Sequence, residues 1–255
     1  MISFFRKIRH KLVSKNVPNE QIGKTSKSYF AAGRYLKYAL GEILLVMIGI
    51  LLAMQINNWN ESRKQQNEFN NILKTISQDL KRDTLVAGII IKYYELVEKN
   101  SLKIINKELN RNNYKEHPEA RSLVSRYRSF TIQTKGFEMV KDYSSKNKIK
   151  NDSIFTSISQ FYTPFLEIIE DSNGFVKKEV LTNIETYKKY DWFVDWTMGR
   201  FTPEMIIYFT ESEEYRKQVA SHNLLAGKNH LLFVSAYKTN AIKLIDHIDK
   251  HLEEN

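Results

Sequence analysis

Three groups of residues have types and spacings that could support chemistry, and the histidines are the first of them. His247 and His251 stand four residues apart, which would place two imidazoles on one side of a helix where both could bind a metal ion. No third ligand accompanies them. A solvent-facing helix is therefore the favoured interpretation, and we predict neither a metal nor a cofactor.

The segment Asp191–Trp196 is the second group, with two tryptophans and two carboxylates at helical spacing. Aromatic rings beside acids could bind a sugar or a peptide, and pairs of acids perform the acid–base step of glycosidases. In those enzymes the two acids normally come from separate elements on either side of a cleft. Core packing of one indole, with exposed aspartates, is the favoured interpretation.

The third group consists of arginines that alternate with aromatic residues, a pattern that resembles a nucleic-acid surface. Its members are Arg121, Arg126, Arg128, Tyr127 and Phe130. The chain beyond residue 42 has a net charge of only about +3, because most of the total of +10 lies in the first 37 residues. We therefore expect no nucleic-acid partner. Phosphate-loop, G-x-S-x-G and H-E-x-x-H motifs are also missing, so we predict that the protein is not an enzyme.

Glu42 lies within Tyr38–Ile56, a nearly unbroken apolar run. At ~1.5 Å per residue, a helix of this length crosses roughly the hydrocarbon thickness of a bilayer. An ionised carboxylate inside that layer costs a few kcal/mol. Two interpretations stay open: Glu42 contacts another helix within the membrane, or it lies one turn inside the span and reaches the cytoplasmic headgroups.

Glu42 belongs to a helical face that contains two small residues four positions apart, which would let another helix approach closely. This face predicts a contact with a second copy of the chain or with another membrane protein. It is made of Glu42, Val46, Gly49, Ala53 and Ile56.

The two flanks of the apolar run predict its orientation. Residues 1–37 contain nine Lys and Arg and one acid, so the positive-inside rule places them in the cytoplasm and residues 57–255 outside the cell inner membrane. Met1–Val13 has the pattern of a basic amphipathic helix on the lipid surface. We expect Trp59 to anchor the outer interface, and the residues expected at lipid headgroups are Arg6, Lys7, Arg9 and Lys11.

The length and composition of the chain limit which folds are possible. With 255 residues, of which 42% are hydrophobic, the chain is long enough for one soluble domain beside the span. It contains no cysteine, which excludes disulfides and thiolate metal sites, and its nine Gly and four Pro favour long helices. We predict an all-α fold, with a basic arm over 1–37, a transmembrane helix over 38–56 and an extracytoplasmic helical bundle over 57–255.

Hydrophobic periodicity predicts the order of the helices. One buried face recurs in steps of four and three from Phe69 to Val97, interrupted only by Asp83. Further expectations are a polar break over Asn110–Pro118, a short helix over Arg121–Ile132, a turn at Thr134–Gly136, a helix end at Asp171–Gly174, a helix from Phe175 to about Trp196 and a last helix over Leu231–Leu252.

The run Gly41–Ala53 (GEILLVMIGILLA) continues into Gln55–Glu61 (QINNWNE), and the chain opens with the motif Phe4–Arg9 (FFRKIR). Together these motifs resemble an uncharacterised family of small single-span membrane proteins from Gram-negative bacteria, catalogued as a domain of unknown function. Gly136–Glu138 and Phe161–Tyr162 fit the same family more loosely. The resemblance implies a membrane anchor with a helical outer domain, and it implies no catalytic residue.

These observations favour a non-enzymatic, single-pass membrane protein that binds or organises other envelope components, with lipids and a second copy or a membrane protein as its partners. Two alternatives stay open. One is an envelope enzyme that acts on glycans around Trp192 and Trp196. The other is a sensor or accessory subunit that relays a signal through the span.

Overall fold

A computed structural model describes residues 27–147 and 153–254, and every regular element within them is a helix. The prediction of an all-α fold is therefore confirmed for this part of the chain. The chain divides into two compact units, Met1–Lys64 and Gln65–Asn255. The amphipathic segment Met1–Val13, with Arg6, Lys7, Arg9 and Lys11, lies outside the described residues.

The first helix, α1 (Lys27–Ile105), contains the apolar run and is 79 residues long. Among the described residues it is the one helix that is long and apolar enough to cross a membrane. In the first unit its large apolar side chains are exposed, from 47% for Leu45 to 66% for Ile56. Among the described residues of that unit, these side chains are therefore left open to their surroundings.

In the second unit the same helix presents the predicted apolar face to the core. All eight apolar positions of that face are buried: Phe69, Leu73, Ile76, Leu80, Ala87, Ile90, Tyr94 and Val97. Asp83, which interrupts the pattern, is also buried. Its carboxylate accepts hydrogen bonds from the Tyr237 hydroxyl (2.8 Å) and from the Gln133 backbone N–H (2.9 Å).

The remaining elements follow α1 in chain order. They are two 3₁₀ helices (Tyr114–Glu116 and Pro118–Ser122), α2 (Lys135–Asn147), α3 (Ser153–Tyr187), α4 (Phe193–Thr197), α5 (Pro203–Glu211), α6 (Glu213–His222), a π-helical segment (Asn223–His230) and α7 (Leu231–Glu254). Helix α3 packs against α2, α6, the π-helical segment and α7. It therefore connects most of the later elements of the second unit.

The expected helix end at Asp171–Gly174 is wrong, because α3 continues through it to Tyr187. Two of its polar residues have partners elsewhere in the fold. Ser172 is hydrogen-bonded to His230 (2.7 Å), and the Asn173 amide exchanges two hydrogen bonds with the Phe130 backbone (2.7 and 3.1 Å). Ser and Asn side chains normally disfavour a helix because they hydrogen-bond to its backbone, but here both side chains form hydrogen bonds with other elements of the fold.

The expected helix over Arg121–Ile132 is also wrong: beyond Ser122 this segment has no regular structure up to Lys135. Side chains of α1 and α3 supply partners for its backbone polar groups. The Tyr94 hydroxyl donates to the Arg128 carbonyl and accepts from its N–H (2.8 and 3.0 Å), and Asn183 donates to the Val124 carbonyl (3.1 Å). The segment thus needs no helix to satisfy its backbone.

Candidate functional site

A cleft with a volume of about 830 Å³ is lined by residues between positions 190 and 212, from the turn after α3 to the residue before α6. It contains both aspartates of Asp191–Trp196 together with Glu204 and Glu211 of α5. Tyr190, Trp192 and Tyr208 add an aromatic surface. This size is within the range of small-molecule sites.

Local capping interactions position α5 and α6 at the cleft. The Thr202 hydroxyl accepts a hydrogen bond from the Met205 N–H (3.2 Å), and Pro203 occupies the first turn of α5. The Ser212 hydroxyl accepts from the Tyr215 N–H (3.2 Å) at the start of α6. The two caps place Glu204 near the beginning of α5 and Glu211 at its end.

The aromatic wall of the cleft is tightly packed. Trp192 is only 5% exposed. Its ring is stacked on Tyr190 (centroids 5.1 Å apart) and contacts Tyr208 (5.2 Å) and Tyr187 (5.6 Å). Trp196 is half-buried, and its indole N–H donates to the Arg121 carbonyl (3.0 Å). Both indoles are therefore parts of the packing, and Trp192 has little exposed surface for stacking a sugar.

Two of the four carboxylates are paired with arginines. Asp195 lies 3.3 Å from the Arg200 guanidinium, and Glu211 accepts a hydrogen bond from Arg111 (2.6 Å), which lowers the pKa of that carboxyl. Asp191 and Glu204 are exposed. Over residues 27–147 and 153–254 neither has an ion pair.

The tyrosines of the wall contribute no charge at neutral pH. Burial, followed by the hydrogen bond to Glu214, raises the pKa of Tyr190 to about 12, and burial also raises the pKa of Tyr208. Tyr187 lies one layer behind the wall with an unexposed side chain, and its hydroxyl has no hydrogen-bond partner among the described residues. The negative charge of the cleft therefore comes from its carboxylates alone.

The other residues singled out from sequence do not form a site with the cleft. His247 is exposed on α7, and the His251 ring meets Phe69 edge-on (6.2 Å). Where the structure is described, no group of three or more His, Asp or Glu side chains could hold a metal ion. The histidine pair therefore gains no further ligand.

The arginines of the predicted group make separate contacts within the fold. Arg128 lies over the Tyr93 ring (4.8 Å). Arg121 lies over the Phe201 ring (5.0 Å) and donates to the Gly199 carbonyl (3.0 Å). Both arginines thus stabilise neighbouring turns and helices.

The predicted contact face of the apolar run is open within the first unit. Glu42, Val46, Ala53 and Ile56 are exposed, and a Cβ atom added at Gly49 would meet nothing within 4 Å. Trp59 is 66% exposed, with Arg63 over its ring (5.9 Å).

Over residues 27–147 and 153–254 the protein is helical, with one helix long and apolar enough to cross a membrane and an acidic, aromatic cleft in the second unit. Residues 42–115 match the model of a family described as Family of unknown function (DUF6090). This match is consistent with the resemblance noted around Gly41–Glu61. No curated protein and no solved structure matches the chain. The matched residues contain most of α1, whereas the residues that line the cleft all lie beyond them.

Proposed function

We propose that this is a single-pass membrane protein whose region 57–255, arranged as a helical bundle, binds or organises envelope components outside the inner membrane. The observation that carries the proposal is the exposure of the apolar side chains between Leu40 and Ile56. Exposed apolar surface of this extent is unfavourable in water and suits a bilayer. The protein is proposed to act without catalysis and without a cofactor.

The distribution of charge supports the orientation of the proposal. Nine Lys and Arg in residues 1–37 favour a cytoplasmic N-terminus that is held at anionic lipid headgroups. Trp59, with its exposed indole, suits the opposite interface. The match to a family of unknown function adds no activity of its own.

Reporter fusions test this orientation. Alkaline phosphatase fused after Asn255 should be active in cells, because it folds only outside the cytoplasm, and a fluorescent protein that matures only in the cytoplasm should be dark at the same position. The same two reporters, fused before Met1, should give the reverse result. An inactive phosphatase and a bright fluorescent fusion after Asn255 would overturn the outer placement of the bundle.

We further propose that the face of Glu42, Val46, Gly49, Ala53 and Ile56 contacts a second copy of the chain. Gly49 and Ala53 leave room for a close approach of two helices. A hydrogen bond across that contact would satisfy the Glu42 carboxyl inside the apolar layer.

Replacing Gly49 by leucine should reduce association several-fold, because the added side chain separates the helices. Cross-linking in native membranes through a cysteine introduced at position 60 would measure the dimer fraction. Leu51→Phe, which adds bulk on the opposite side of the helix, is the matched control and should leave the dimer fraction unchanged. If both variants cross-link like the parent protein, this face makes no contact between copies.

A glycan-processing enzyme has weaker support than the binding function. The cleft does bring Asp191 and Asp195 together with Glu204 and Glu211. Asp195 and Glu211 are paired with arginines, and Trp192 is covered by its neighbours. The cleft thus fits binding of a charged group better than stacking of a sugar ring.

A further inference from the structure

The cleft is negatively charged although its domain is slightly basic. Residues 65–255 contain 28 Lys and Arg and 26 Asp and Glu. The ten residues that line the cleft include four carboxylates and neither lysine nor arginine. With two of the four paired to arginines, Asp191 and Glu204 leave a negative charge without a partner in the described part of the chain. The cleft thus favours a cationic ligand.

The spread of the acids favours an organic cation over a metal ion. A metal ion needs several oxygen ligands within about 2.0–2.6 Å. No three acidic or histidine side chains of the described residues are grouped closely enough to hold one. Carboxylates distributed around about 830 Å³ suit a longer ligand with positive charges at separate points.

The uncharged part of the wall suits the carbon chain of such a ligand. Tyr190 and Tyr208 contact each other (4.7 Å between centroids), and Ile207 beside them is 40% exposed. Ring faces also attract ammonium groups within about 6 Å. The Tyr187 ring packs against Trp192 and Tyr208 (5.6 and 5.8 Å between centroids) and so helps to hold this wall in place.

We propose that the cleft binds a linear organic polycation of the di- or polyamine class. One ammonium group pairs with Asp191 and another with Glu204, and the methylene chain lies along Tyr190 and Ile207. This proposal names a ligand class for the binding function proposed above. It rests on that proposed function only for the compartment in which the protein meets the ligand.

Calorimetric titration of the full chain in detergent, with 1,5-diaminopentane and with spermidine, tests the site. We expect saturable binding with a Kd below about 1 mM, and no binding of the uncharged 1,5-pentanediol. Asp191→Asn and Glu204→Gln should each weaken binding roughly tenfold, the effect of losing one charged hydrogen bond. Both residues are exposed, so the unfolding midpoint should be unchanged.

Glu167→Gln is the matched control, since it removes one exposed carboxylate of α3 that does not line the cleft. It should bind both amines like the parent protein. The proposal is overturned if neither amine binds, if Glu167→Gln weakens binding as much as Glu204→Gln, or if Mg²⁺ at equal ionic strength competes as well as the amines. Binding of tetralysine without binding of either amine would also overturn it, in favour of a basic protein partner.

The outcome for the cleft is separable from the outcome for the membrane topology. Titration in detergent does not depend on which side of a membrane the domain occupies. A failed titration leaves the fusion results intact, and reversed fusion results leave the titration intact.

Discussion

Replacing Gly136 by alanine is expected to lower the free energy of unfolding of the helical domain by about 2 to 4 kcal/mol. A Cβ atom at this position would lie 2.6 Å from Cγ1 of Ile76 and 2.8 Å from its backbone nitrogen. Backbone atoms cannot move aside as a flexible side chain can, so α2 would have to shift away from α1. The shift would also lengthen the hydrogen bond from the Gly136 N–H to Asp79 (2.9 Å).

Gly174→Ala is the matched control, with an expected effect of opposite sign. Gly174 lies inside α3, and a Cβ atom there would meet nothing within 4 Å. Alanine should therefore raise the free energy of unfolding by about 0.5 to 1 kcal/mol through its better helix propensity. Guanidinium denaturation in detergent, followed by far-ultraviolet circular dichroism, measures both. Equal stabilities for Gly136→Ala and Gly174→Ala would show that α1 and α2 are not in close contact.

The sequence predicted α1 well because one physical rule governs its second half. Apolar residues in steps of four and three form one helical face, and a helix within a domain must bury that face. The same rule could not explain Asp83, whose burial raises its pKa despite hydrogen bonds from Gln133 and Tyr237. Those partners are 50 and 154 residues away in sequence, beyond the reach of a local pattern.

The wrong predictions have the same physical origin. Asp171–Gly174 combines residues that usually end a helix, and Arg121–Ile132 has an apolar spacing compatible with one. In the structure Asn173 of the first segment binds the backbone of Phe130 in the second. The hydrogen bonds between the two segments therefore stabilise the conformation of each. The sequence alone does not show that these two segments contact each other.

The cleft could be predicted only in part. Asp191–Trp196 was recognisable by its composition. Thr202-Pro203-Glu204 has the residue types of a helix start, and α5 begins there. Nothing in the spacing showed that Glu204 and Glu211 face the aspartates, because that depends on how α5 folds back after α4. Composition thus indicated the residue types of the site, and the fold determined which of them meet.

The interior of the second unit contains two histidines that a sequence pattern does not distinguish from the exposed ones. His222 directly precedes the π-helical segment, His230 is its last residue, and both are fully buried. His230 is hydrogen-bonded to Ser172 and meets the Tyr94 ring edge-on (4.9 Å), while neither ring nitrogen of His222 has a partner in the described part of the chain. Burial lowers the pKa of each histidine from 6.5 to about 4.

Acidification from pH 7 to pH 4.5 is therefore expected to destabilise the domain by about 2 to 3 kcal/mol for each of the two histidines. The unfolded chain binds a proton on each imidazole near pH 6.5, whereas the folded protein does so only near pH 4. The stability due to His222 and His230 is complete above pH 6.5 and is lost as the pH falls towards 4. Asp83 acts in the opposite direction, because its raised pKa makes the folded state bind a proton first.

Denaturation midpoints of the parent protein, His222→Leu and His247→Leu at pH 7, 5.5 and 4.5 separate these contributions. Leucine at position 222 cannot be protonated, so this variant should lose about 2 to 3 kcal/mol less than the parent between pH 7 and pH 4.5. His247→Leu is the matched control at an exposed position, and it should keep the loss of stability that His222 and His230 cause. If His222→Leu and the parent protein lose the same stability over this range, the His222 imidazole is accessible to protons in the folded state. The π-helical segment that follows His222 would then open readily in solution.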